Sequence, residues 1–152
     1  MIRKLFRILA AAALTLLPAL AQTSQPAEAK TVAINGIDMY YEAYGTGDPL
    51  VLLHGFNNSG QTWKAVLDDF SRHYRVILID MRGHGRSTNP SGVFTHRQSA
   101  ADVFALMDAM GVKRFKAMGI SSGGMTLLHM ATTQRDRLEA MVLIGATTYF
   151  PA

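Results

Sequence analysis

The sequence predicts an α/β fold, a mostly parallel sheet with helices on both faces, and three observations carry that expectation. Leu50 to Leu53 and Tyr74 to Ile79 are short, nearly continuous apolar runs, too brief for helices and typical of strands buried on both sides. Between such runs lie stretches whose apolar residues recur at helical spacing. The two kinds alternate from Thr31 to Ile144, which is the order that builds a parallel sheet covered by helices.

Each element has its own local reason. Thr31 to Ile34 and Ile37 to Tyr44 flank Asn35-Gly36, a pair suited to the tight primed turn of a β-hairpin. Gly45 to Pro49 forms a second turn before the Leu50 to Leu53 strand. A helix is expected over Gln61 to Ser71, with Trp63, Val66, Leu67 and Phe70 on one face. After the Tyr74 to Ile79 strand, a polar loop leads to a helix over Gln98 to Met110, with Val103, Leu106 and Met110 inward and Gly111 as its C-cap. Arg114 to Met118 reads as a strand, Ser122 to Thr133 as a helix and Ala140 to Ile144 as the last strand.

The 152 residues are 49% hydrophobic and 17% charged, which excludes disorder and fibrous repeats and fits one domain. With no cysteine, disulfide scaffolds, thiol catalysts and thiolate zinc sites are excluded. The net charge of +4 has a local origin in Arg3, Lys4 and Arg7. Without residues 1–21 the body carries 12 basic and 11 acidic residues, so no basic stripe remains to bind nucleic acid. Those basic residues, the apolar run Ile8 to Leu17, Pro18 and Ala19-Leu20-Ala21 have the layout of a secretory signal peptide cleaved after Ala21. The run is too short to span a bilayer, which takes about 20 apolar residues; an uncleaved anchor or a buried helix is the competing reading. Residues 22–30 are expected to be a polar linker and 31–152 the folded body of an exported protein, periplasmic or secreted.

The chemistry is expected where a strand turns into a helix. Gly119-Ile120-Ser121-Ser122-Gly123 fits G-x-S-x-G, in which a nucleophile on a strained turn needs small neighbours two residues to either side. Centring the motif on Ser122 would put Ile120 at a flank, so Ser121 is the candidate nucleophile, held where helix N–H groups favour developing negative charge. The plain alternative is that these residues only cap a helix. Two nucleotide-binding patterns each fail at one residue. Met125 stands where a phosphate-loop Lys belongs, and Thr88 where the third Gly of a dinucleotide fingerprint belongs.

Three blocks now resemble the α/β-hydrolase family, serine-nucleophile branch: Leu50 to Phe56 (LVLLHGF), Val76 to Ser87 (VILIDMRGHGRS) and Ala117 to Gly124 (AMGISSGG). The resemblance implies Ser121 as nucleophile and the backbone N–H groups of Ser122 and Phe56 as oxyanion donors. It implies structural roles for Asp80, Arg82 and Ser87. A serine at the elbow argues against the haloalkane dehalogenase and epoxide hydrolase branches, which use Asp there. Trp63, Met125 and the aromatic residues near Phe56 are expected in the core. No His/Asp/Glu group has metal-ligand spacing, and no cofactor is expected.

The family's order of Ser, then Asp or Glu, then His is not completed. After Ser121 only Asp136, Glu139 and His129 remain; the two acids precede the last strand, at the edge opposite the nucleophile. His129 is eight residues along the helix from Ser121, about 12 Å at the helical rise, beyond hydrogen-bond reach. His54 belongs to the oxyanion loop and His73 to a turn, while His84 and His96 can approach the active edge without occupying the family's base position. The final strand is apolar on both faces, the pattern of an interior strand. These features lead us to expect the N-terminal portion of a longer hydrolase, truncated after about strand 6. The expected function is cleavage of a small-molecule ester or similar acyl bond through an acyl-enzyme. The alternatives are a perhydrolase or cofactor-free haloperoxidase, a C–C hydrolase or lactonase, and a non-catalytic remnant.

Overall fold

The structure is a computed structural model that describes residues 25–148. The expected signal peptide, residues 1–21, and residues 22–24 of the linker lie outside the described residues. Among the described residues six strands form one sheet: β1 Glu28–Ile34, β2 Ile37–Tyr44, β3 Pro49–Leu53, β4 Arg75–Ile79, β5 Phe115–Ile120 and β6 Leu138–Ile144. Their order is β1-β2-β4-β3-β5-β6. β4, β3, β5 and β6 pair in parallel, while β2 runs antiparallel to both β1 and β4.

The first strand begins at Glu28, inside the stretch expected to be linker. Its start carries the charged Glu28 and Lys30, which an edge strand tolerates, and the hairpin register carries on to Glu28 opposite Ala43. The turn is the expected one, with Asn35 at φ 45° and Gly36 at φ 75°.

Among the described residues three α-helices flank the sheet: α1 Lys64–Ser71, α2 His96–Ala109 and α3 Ser122–Thr133. Alternation along the central strands divides the core. Val51, Leu53, Ile77, Ile79 and Ala117 face α2 and α3, packing with Val103, Phe104, Leu106, Met107, Leu127 and Met130. Leu50, Leu52, Val76 and Leu78 face the other way, onto Trp63 and Leu67. Helices therefore cover both faces, as expected.

The single helix expected over Gln61 to Ser71 is divided into a 3-10 turn, Gly60–Trp63, and α1. Ser59 caps the turn by accepting the Gln61 N–H at 3.3 Å, and Val66 is exposed rather than inward. α2 starts two residues early because Thr95 caps it, its hydroxyl accepting the Gln98 N–H at 3.1 Å. It ends as expected: Gly111, at φ 68°, lets Val112 N–H reach back to the Met107 carbonyl at 2.8 Å. α3 matches its expected bounds. Among the described residues, no helix is long and apolar enough to cross a membrane.

Candidate active site

Parallel strands with right-handed helical crossovers bring the C-terminal end of each strand and the start of the next helix to one edge of the sheet. β3 runs into the His54–Gly55–Phe56 loop, and β5 into α3. Ser121 occupies the single residue between β5 and α3, with φ 50° and ψ −114°. A residue with a Cβ rarely adopts this conformation, and holding it costs about 1–3 kcal/mol that the surroundings must supply. They supply it through fixed contacts. Ser121 N–H donates to the Ile144 carbonyl at 2.8 Å, and the Ser121 carbonyl accepts Met125 N–H at 3.0 Å.

The glycines of the motif are explained by space. A Cβ on Gly119 would fall 2.5 Å from the Gly123 carbonyl carbon. One on Gly123 would meet the Leu53 carbonyl and come within 2.7 Å of the His54 carbonyl oxygen, so the start of α3 packs directly on the end of β3. A Cβ on Gly124 would collide with that of Ala146, 2.6 Å away. At Gly55 the equivalent position is only 3.6 Å from the Ser121 Cβ, so the loop leading to Phe56 lies against Ser121.

The three residues singled out in the sequence thus lie at one edge, in different surroundings. Ser121 sits on the turn, Ser122 is buried as the first residue of α3, and Phe56 is 61% exposed. The aromatic residues near Phe56 were expected in the core. Phe94 instead joins a row of rings that runs from Phe56 through His84, Phe94, His96 and His129, with successive centroids 5.1–6.4 Å apart. Trp63 is core, as expected. Met125 is not: it lines a cleft of about 290 Å³ with His96, Leu128, His129, Thr132, Thr147 and Thr148.

The loop after β4 is locked beneath the site. Asp80 accepts N–H groups of Gly60 at 2.7 Å and Arg86 at 2.9 Å. Arg82 forms a two-armed ion pair with Asp102 of α2, at 2.5 and 2.9 Å, with both side chains buried. Ser87 Oγ donates to the Asp80 carbonyl at 2.5 Å and accepts Tyr40 N–H at 2.8 Å. All three residues are consumed by the scaffold.

The histidines sort by their partners. His54 is fully buried; its Nδ1 donates to the Gly55 carbonyl at 2.6 Å and its Nε2 accepts Met81 N–H at 3.0 Å. Burial holds its pKa below the usual 6.5, and this neutral ring with both nitrogens engaged has no capacity to take a proton from Ser121. His96 lies closer to the motif than the sequence indicated. Its Nε2 is 3.0 Å from Ser122 Oγ, and its ring stacks nearly parallel on His129, 5° between planes. Burial, then the neighbouring His129 imidazole, keep His96 below 6.5. Strand–helix alternation offered a signal for this contact, because the first residues of α2 and α3 must reach the same sheet edge. Asp136 and Glu139 are not brought to Ser121; Glu139 pairs instead with Lys116 at 3.0 Å, beside Asp48 at the start of β3. Among the described residues no group of three or more His, Asp or Glu side chains could hold a metal ion.

Comparison with known proteins decides the family. The family model described as alpha/beta hydrolase fold matches residues 48–152. The chain belongs to the α/β-hydrolase family. A Synechocystis protein named as a non-heme chloroperoxidase is 36% identical over 116 residues, covering 75% of this chain and 42% of that protein. The soluble epoxide hydrolase of Corynebacterium sp. strain C12 is 35% identical over 111 residues, covering 73% of this chain and 39% of that one. Among solved structures, Est816, described as an N-acyl homoserine lactone degrading enzyme, superposes with a TM-score of 0.73 at 34% identity. That match covers 76% of this chain and 45% of Est816. The chain spans about two-fifths of the length of these curated relatives.

Proposed function

We propose that this chain is the nucleophile-bearing part of an exported serine hydrolase that cleaves a small-molecule ester or related acyl bond. Ser121 Oγ attacks the acyl carbon, the alcohol leaves with a proton, and water then releases the acid from the acyl-enzyme. The N–H groups of Ser122 and Phe56 receive the oxyanion, donors of a kind worth about 3–4 kcal/mol each in the transition state. The observation that carries the reading is the strained Ser121 backbone at the β5–α3 turn, packed among glycines with no room for a side chain. The Asp or Glu and the His that would orient and deprotonate it are assigned to sequence beyond these 152 residues.

A serine at this position favours acyl transfer over the epoxide opening of the Corynebacterium relative, since the family resemblance places Asp at the elbow of that branch. Est816, described as degrading an N-acyl homoserine lactone, a compound that contains acyl bonds, supports an acyl bond as the target. Similarity to the Synechocystis protein favours a second reading, a perhydrolase using the same serine, which would show peroxide-dependent halogenation.

The test is labelling of the natural full-length protein by a fluorophosphonate, with the intact mass of the mature product read in the same experiment. Labelling that disappears in Ser121→Ala, on a chain beginning at Gln22, is the expected result. Labelling that survives Ser121→Ala, or none in the wild type, overturns the serine assignment; a mature chain beginning at Met1 overturns export by cleavage.

A further inference from the structure

The cleft along α3 has a composition and a position that the fold alone does not explain. Its lining comes from three places: His96 at the start of α2, Met125, Leu128, His129 and Thr132 on one side of α3, and Thr147 and Thr148 after β6. On α3 those residues follow Ser121 by 4, 7, 8 and 11 positions, the spacing of a single helical face. The cleft therefore begins one helical turn from the nucleophile. Two contacts bind its walls to the elbow, Met125 N–H on the Ser121 carbonyl and His96 Nε2 on Ser122 Oγ.

Its chemistry is selective. None of the seven lining residues carries a carboxylate, an ammonium or a guanidinium group, so a charged substituent entering it would lose hydration and meet imidazoles and threonine hydroxyls but no fixed counter-charge. Two imidazole faces and the soft side chains of Met125 and Leu128 favour a flat or branched apolar group. A cavity of about 150 Å³ accepts benzene, so about 290 Å³ suits one ring with a short substituent.

We propose that this cleft is the specificity pocket of the Ser121 centre and that it receives an uncharged, ring-sized apolar group of the substrate. Leu128 and His129 set its depth, and His96, pinned on Ser122, forms the wall nearest the reacting carbon. The proposal rests on the serine-hydrolase reading for its catalytic meaning, but the pocket can be tested without catalysis. In full-length Ser121→Ala protein, methyl benzoate is titrated while the His96 and His129 ring resonances are followed by NMR. Saturable shifts of both rings are expected. Leu128→Trp, which fills the cleft from a half-buried helix face, should weaken that binding at least tenfold, whereas methyl acetate should shift neither ring measurably. Failure of methyl benzoate to move either ring up to its solubility limit overturns the pocket, as does unchanged binding in Leu128→Trp. In the Ser121-intact protein, Leu128→Trp should lower kcat/KM for p-nitrophenyl benzoate at least tenfold more than for p-nitrophenyl acetate. An equal fall for both esters also overturns it. Ring shifts without ester hydrolysis would instead reject the serine mechanism and leave the pocket standing.

Discussion

At Ser121 the molecule holds one side chain in a conformation that opposes its stability. A residue with a Cβ at φ 50° and ψ −114° is strained whether that residue is serine or alanine, so Ser121→Ala removes the hydroxyl and keeps the cost. Glycine relieves the strain and gives back part of the gain through its freer unfolded chain, which costs about 0.5–1 kcal/mol. Ser121→Gly is therefore expected to be more stable than Ser121→Ala by about 1 kcal/mol in urea unfolding, with both variants equally unreactive to fluorophosphonate. Equal stability of the two would mean that the turn is not strained. The position of this residue was legible because the motif's demand for small flanks is local. The ring row from Phe56 to His129 was not, since it joins five residues from two loops and two helices whose distances no spacing rule supplies.

Among the elements, β2 shows how one buried carboxylate can tie several together. Glu42 accepts from Tyr44 at 2.6 Å and Tyr40 at 3.1 Å within its own strand. It also pairs with Lys64 of α1 at 3.3 Å and with Arg86 of the loop after β4 at 2.9 Å. Burial alone would raise its pKa, but the hydrogen bonds from Tyr44 and Arg86 and the charge of Lys64 outweigh it, and the carboxyl titrates below 4.5. The folded-state pKa being the lower one, Glu42 stabilises the fold above pH 4.5 and loses that contribution as the pH falls through its folded-state value. Glu42→Gln should accordingly be less stable than wild type at pH 7, by about 2 kcal/mol given hydrogen bonds to a charged group. The gap should narrow as urea unfolding is repeated below pH 4.5; a gap that stays constant down to acid-induced unfolding would remove Glu42 from the acid response. Strands such as β3 and β4 were readable because burial on both faces leaves an apolar run. β1 was missed over its first three residues because an edge strand can be polar and still pair, and the network around Glu42 left no trace because its partners lie up to 44 residues apart.

At the scale of the whole sheet, among the described residues the two edge strands differ in character. At β1 the outermost residues are polar: Lys30 and Arg75 share the Glu28 carboxylate, and the strand ends in a tight turn. β6 is different. Among the described residues it pairs only with β5, and Met141, Val142, Leu143 and Ile144 are each about 40% exposed on a strand without a polar side chain after Glu139. Alternating side chains reach both faces of the sheet, and they stay part-exposed on both although α3 packs beside the strand, while its outer N–H and C=O groups form a template for another strand. The same strand also supplies the Ile144 carbonyl that holds Ser121 N–H, which couples the exposed edge to the nucleophile turn. The isolated 152-residue chain is therefore expected to self-associate through β6, with a sedimentation coefficient that rises with concentration. Val142→Lys places a charge on that edge and should restore monomer without altering β5 pairing, the device by which natural sheets discourage edge-to-edge contact. Monomeric behaviour of the unsubstituted chain at every concentration, or association unchanged by Val142→Lys, would show that contacts elsewhere govern its assembly.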